Sequence, residues 1–170
     1  AHLFKYDSIH GRFEGEMTYE SGQLFLDGSP ISMSSIANPV ELPWRELSID
    51  FVLECTGKLK TREKASGHLS AGAKKVILSA PPADDRIKTI VLGVNEGILS
   101  KTDTLVSNAS CTTNSAAPLV SEIQRLSPIE TGYITTVHSY TTDQKLHDTP
   151  HVDLRRARAA ALSIVPTTTG

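Results

Sequence analysis

Apolar and polar positions alternate in short bursts over the first part of the chain, where Glu14 to Tyr19, Gln23 to Leu26 and Ile31 to Ser34 read as brief β-strands. Glu20-Ser21-Gly22 and Asp27-Gly28-Ser29-Pro30 between them are turn chemistry, so the pattern predicts a small antiparallel meander. Asn38-Pro39 to Trp44 reads as a loop or one helical turn. Ile49 to Leu53 is then a continuous apolar run ending at Cys55-Thr56-Gly57, the pattern of a buried parallel strand entering a glycine loop. Thr61 is placed to cap a helix through Ala71, with Gly72 where a C′ glycine belongs. Lys75 to Leu78 and Thr89 to Val94 are again buried-strand runs, and Asp103 to Asn108 is β-prone. A helix-like run follows from Cys111 and is stopped by Ser127-Pro128; Gly132 to Tyr140 alternates like a strand, and Asp153 to Ile164 reads as helix or ordered loop.

Strand, helix, strand is α/β grammar. The first strands are apolar on both faces, as in a doubly wound sheet, whereas Tyr133 to His138 alternates as in a sheet with one exposed face. This change predicts two units, residues 1–110 and residues 111–170, with their junction at Cys111 and a ligand cleft between them.

Composition narrows the function classes. A formal net charge of -2 over 170 residues gives no overall basic surface for nucleic acid or an anionic membrane. The two cysteines, Cys55 and Cys111, form no Cys-x-x-Cys pair, which removes zinc-ribbon and thioredoxin-like readings; no metal is expected, and a reducing cytoplasm fits. No apolar run approaches the roughly 18 residues of a membrane span, and the N-terminus has no signal-peptide layout. The absence of an initial Met and the turn-like Pro166-Thr167-Thr168-Thr169-Gly170 make both ends read as cut.

Ala109-Ser110-Cys111-Thr112-Thr113-Asn114 carries the strongest chemical signal. It places a thiol at a helix start, where free N–H groups and the helix dipole favour thiolate. His138 is the best-placed sequence candidate for its base. Ser110, Thr112, Thr141 and Thr167 to Gly170, with Arg155, Arg156 and Arg158 near in sequence, make a candidate phosphate site. A solvated arginine face with ordinary caps and turns explains the same residues. Gly67 to Gly72 has P-loop glycine spacing, but Ala73 replaces the lysine and the stretch ends a helix; no Gly-x-Gly-x-x-Gly fingerprint occurs.

Tyr6 to Phe13, Thr61 to Ala65, Ala71 to Ile77, Ser79-Ala80-Pro81, Val137 to Tyr140, Asp153 to Ala160 and Pro166 to Gly170, with the cysteine hexapeptide, follow one family's pattern in order. The chain resembles the phosphorylating (type I) glyceraldehyde-3-phosphate dehydrogenases, as an internal fragment. The implied fold is α/β: the C-terminal part of a Rossmann-like NAD-binding domain followed by the start of an α+β catalytic domain. The resemblance implies Cys111 as nucleophile and thioester carrier and His138 as its acid–base partner. It also implies Ser110, Thr112, Thr141, Arg156, Thr169 and Gly170 around the substrate and attacking phosphates, and Thr56, Gly57 and Ser79 along the dinucleotide. NAD as cofactor, inorganic phosphate as co-substrate, a sugar-phosphate substrate and a homotetramer are implied with them. The chain departs from the family's common pattern at Cys55, Ser115 and Ala37, the last placing an adenine contact in question.

An NADP-linked relative and the sister enzyme acting on erythrose 4-phosphate share the Cys and His. A cysteine hydrolase built on Cys111 and His138 would cleave thioesters or amides without nicotinamide. A non-enzymatic piece is the remaining class, and residues 1–170 alone are expected to have little dehydrogenase activity.

Overall fold

The computed structural model describes residues 1–169. The chain enters through a short helix, α1 (His2–Lys5), and a hairpin of β1 (Tyr6–Asp7) and β2 (Gly11–Arg12). The expected meander follows as β3 (Met17–Glu20), β4 (Gln23–Leu26) and β5 (Ser29–Ile31). Both of its turns place two consecutive residues at positive φ, Ser21-Gly22 at 51° and 85° and Asp27-Gly28 at 47° and 76°. That geometry matches the right-handed twist of the flanking strands. The tight second turn brings Ser29 opposite Leu26, so the third strand begins earlier than the expected Ile31 to Ser34.

The expected parallel sheet is formed by β6 (Phe51–Glu54), β7 (Lys75–Leu78), β8 (Lys88–Thr89) and β9 (Leu105–Ser107), in the order β6-β7-β9-β8 with all pairs parallel. Between β6 and β7 the chain crosses over through α2 (Arg62–Ser70), whose Thr61 cap accepts from the Lys64 N–H at 3.4 Å. Gly72 ends this helix at a φ of 114°, where a Cβ would lie 2.9 Å from the Arg45 Cα. Ala65 and Leu69 of α2 pack on Val52, Val76, Leu78 and Leu105 to make the core, joined by Ala73, Ile87, Trp44 and Ile49.

Three expectations are corrected. The strands are not buried on both faces: Phe51 and Leu53 are 61 % and 67 % exposed, because α2 covers one face of β6 and no described element covers the other. Of the run Thr89 to Val94 only Thr89 pairs as strand, together with Lys88 before it. The Asn95 side chain accepts from the Val91 N–H at 2.7 Å and donates to the Thr89 carbonyl at 3.0 Å, replacing the next ladder bonds and turning the chain. Gly132 to Tyr140 forms no strand; it is exposed throughout, and without a paired neighbour its alternation has no sheet to join.

The long helix α3 (Cys111–Leu126) begins where it was expected. Beyond it, Asp153 to Ile164 is an ordered loop with two short 3-10 turns, Leu154–Ala157 and Ala160–Leu162. Among the described residues no helix is long and apolar enough to cross a membrane.

Candidate active site

The carboxyl ends of β6, β7 and β9 lie side by side, stitched by the Ser79 N–H to the Glu54 carbonyl at 3.0 Å and the Asn108 N–H to the Leu78 carbonyl at 2.9 Å. Thr56 and Gly57 leave the end of β6, Ser79 leaves β7, and Ser110-Cys111-Thr112 leaves β9. Parallel strands place all their carboxyl ends on one edge, so residues far apart in sequence share it.

The turn that presents Cys111 is over-determined. Ser107 is fully buried; its Oγ donates to the Ala80 carbonyl at 2.8 Å and accepts from the Ala109 N–H at 3.0 Å. Ala109 sits in the left-handed region at a φ of 61°, a conformation that costs an alanine about 1–3 kcal/mol and persists only where neighbours enforce it. The Asn114 side-chain amide donates to the Asn108 carbonyl at 2.7 Å and to the Ser110 carbonyl at 2.9 Å, clamping the turn from the helix side. The Ser110 hydroxyl caps α3 by accepting from the Thr113 N–H at 3.0 Å.

Cys111 Sγ lies 3.1 Å from His138 Nε2. The other ring nitrogen, Nδ1, is 2.6 Å from the Ser139 carbonyl, which can only accept, so Nδ1 carries a proton and Nε2 is the atom free to take one from the thiol. The hydrogen bond to His138 holds the Cys111 thiol below its ordinary range; partial burial opposes this, and the Thr112 backbone N–H adds to the lowering. His138 is raised, first by its bond to the Ser139 carbonyl and then by the Cys111 sulfur. Both directions favour transfer of the thiol proton to the imidazole over the neutral pair.

The other residues expected at phosphate positions are joined to this centre in part. Thr112 Oγ1 is 2.7 Å from Thr169 Oγ1, bringing the end of the described chain to the start of α3. Arg156 donates to the Thr168 carbonyl at 3.0 Å and to the Thr167 hydroxyl at 3.1 Å, so its guanidinium holds the two threonines that precede Thr169. It also pairs with Asp143 at 2.6 Å, a partner that the sequence did not point out. The Thr141 N–H donates to Gln144, within the loop that follows His138. Gly170 lies outside the described residues. Asn114 lies in the cysteine hexapeptide and Asp143 three residues beyond Tyr140, neither with a role legible in the sequence; Ser107 reads as an ordinary strand residue, and only its depth marks it.

Two family models match the chain: the glyceraldehyde 3-phosphate dehydrogenase NAD binding domain over residues 1–62, and the C-terminal domain of the same enzyme over residues 110–170. The chain belongs to the glyceraldehyde 3-phosphate dehydrogenase family. It is 54% identical over 170 residues to the plasmid glyceraldehyde-3-phosphate dehydrogenase of Cupriavidus necator, with 100% of this chain and 51% of that protein covered. It is 52% identical over 170 residues to the Thermotoga maritima dehydrogenase, covering 100% of this chain and 51% of the relative. For glyceraldehyde-3-phosphate dehydrogenase 2 of Bacillus subtilis the identity is 51% over 171 residues, again with 100% of this chain and 50% of the relative covered. The chain spans about half the length of the curated relatives it matches. The α/β architecture with a parallel sheet accords with the family's Rossmann-type NAD-binding domain.

Proposed function

We propose that this chain carries the reacting centre of an NAD-dependent, phosphorylating glyceraldehyde-3-phosphate dehydrogenase, with Cys111 as nucleophile and His138 as acid–base partner. The observation that carries the proposal is the 3.1 Å contact between Cys111 Sγ and His138 Nε2 at the start of α3. In this proposal His138 takes the Cys111 proton, the thiolate adds to the aldehyde carbon, and the His138 imidazolium returns that proton to the developing oxyanion, beside the first N–H groups of α3, to give a thiohemiacetal. His138 takes the hydroxyl proton as the C–H bond breaks, leaving an acyl thioester on Cys111. NAD, when bound, supplies the hydride acceptor. Inorganic phosphate then attacks the thioester carbonyl, releasing the acyl phosphate and restoring the Cys111 thiolate.

Ser110, Thr112, Thr141, Arg156, Thr169 and Gly170 are proposed to hold the substrate and attacking phosphates through hydroxyls, a guanidinium fork and backbone N–H groups. Arg156 is held by Asp143 and the terminal threonines, so it would act on a phosphate as part of that network. Thr56, Gly57 and Ser79 are proposed along the dinucleotide. Their chemistry fits one: they stand at carboxyl ends of parallel strands, and Gly57, at a φ of 68°, has open space where a side chain would begin. The division at residue 110, a homotetramer and a cytoplasmic setting belong to the same proposal, as does little activity from residues 1–170 alone.

The test is reduction of NAD by the protein expressed from its whole coding frame, with glyceraldehyde 3-phosphate and inorganic phosphate. Sustained turnover that requires phosphate and runs faster than with erythrose 4-phosphate is expected. Turnover indifferent to phosphate, or none, overturns the proposal.

A further inference from the structure

Behind β6 lies a buried polar chain that the proposed chemistry leaves unused. Glu54 and His68 are each 5 % exposed, packed between the strand and α2. The Trp44 indole N–H, which can only donate, points at His68 Nδ1 from 3.0 Å, so that nitrogen is the acceptor and carries no proton. The ring's proton is therefore on Nε2, which donates to Glu54 Oε2 at 3.1 Å. The second carboxylate oxygen, Oε1, accepts from the Thr56 N–H at 2.8 Å and from the Thr56 hydroxyl. The Thr56 hydroxyl oxygen in turn accepts from the Lys58 N–H at 3.2 Å.

The direction of every bond is thus fixed: the indole donates to the imidazole, the imidazole to the carboxylate, and the loop after β6 donates to the carboxylate from its other side. Burial pushes the Glu54 carboxyl up, but the bonds from Thr56 and His68 outweigh it, and the group ends below its ordinary range. A buried charge is a poor way to fill a core, since an apolar residue of similar size avoids the desolvation cost. Half of this carboxylate's bonding capacity goes instead to one residue of an exposed loop. That loop holds Thr56 and Gly57.

We propose that Trp44, His68 and Glu54 form a positioning relay that holds the Thr56-Gly57 loop in the conformation that receives the dinucleotide, so that Glu54 sets cofactor affinity without touching the cofactor. The inference rests on the NAD assignment of the preceding section. Glu54→Gln breaks the relay at its centre: the amide can still accept from Thr56, but it turns an NH2 toward the His68 N–H, and two donors then face each other. The reverse amide orientation serves His68 and fails Thr56.

The decisive measurement is NAD binding by calorimetry to the protein from the whole coding frame, for wild type, Glu54→Gln, Thr56→Val and the double variant. Thr56→Val supplies the second leg of the cycle, and Trp44→Phe, which removes only the indole N–H that donates to His68, keeps the test usable if Glu54→Gln folds poorly and should also weaken NAD binding. Glu54→Gln is expected to weaken NAD binding about tenfold. The double variant should be no weaker than the weaker single, because both act through one contact. Long-range 15N correlation should show His68 as the neutral tautomer protonated at Nε2. Unchanged NAD affinity in Glu54→Gln, with only a lowered melting temperature, overturns the relay, as do fully additive variants or a His68 protonated at Nδ1. Absence of NAD binding by the wild type overturns the cofactor assignment itself and leaves the relay nothing to position.

Discussion

The sheet formed by β6 to β9 and the strandless stretch from Gly132 to Thr169 contribute to one candidate site by opposite means. Cys111 stands on a turn locked from below by buried Ser107, from the side by Asn114 and from within by the constrained Ala109. His138 has none of this; it is exposed, outside any strand, and its ring is held by the carbonyl of its own neighbour and by the Cys111 sulfur. The proposed nucleophile is therefore placed by the fold, whereas the proposed base is placed largely by the pairing itself. A pair built in this way loses the orientation of His138 when Cys111 is removed, but keeps the orientation of Cys111 when His138 is removed.

Three measurements break or sharpen that contrast, each made in the protein from the whole coding frame. The largest effect is expected at the pair. Cys111→Ser should lower dehydrogenase turnover by on the order of 10⁴-fold or more, and His138→Asn by about 10²–10⁴-fold. Because the bond to His138 is the largest cause of the lowered thiol, its removal should move the midpoint for iodoacetamide alkylation of Cys111 upward. An unmoved midpoint would show that the helix start alone sets the thiol.

Stability should separate the two regions next. Leu78 is 1 % exposed between α2 and the sheet, and Leu78→Ala should cost about 2–5 kcal/mol in denaturant unfolding. Val137, beside the candidate base, is 99 % exposed, and Val137→Ala should stay within about 0.5 kcal/mol. A loss at Val137 comparable to that at Leu78 would mean that the stretch around His138 is packed. Smallest is the cap: Ser110→Ala should cost about 1 kcal/mol by leaving the Thr113 N–H without its acceptor, while Cys111 stays clamped by Asn114.

Legibility along the chain follows the range of the interactions involved. The meander, α2 with its Thr61 cap and Gly72 stop, β7 and the start of α3 were readable because caps, turns and apolar runs act over a few residues. The misread strand at Thr89 to Val94 fails through one side chain: Asn95 supplies hydrogen bonds that a ladder would have used, and no periodicity announces that. The alternation of Gly132 to Tyr140 was real as a pattern, but a strand exists only with a partner. Glu54 carries no signal in the sequence, because it follows an apolar run as any strand-ending polar residue would.

The amino-acid sequence by itself determined the α/β class, the helix start that carries Cys111, and the family, because these rest on local propensity and ordered motifs. Only the tertiary structure decided that His138 meets Cys111, that Thr169 reaches Thr112, and that a tryptophan, a histidine and a glutamate from three separate segments meet behind the Thr56 loop. The reason is physical: each of these contacts closes a loop of chain whose geometry is fixed by packing elsewhere, and sequence spacing carries no record of where such a loop comes to rest.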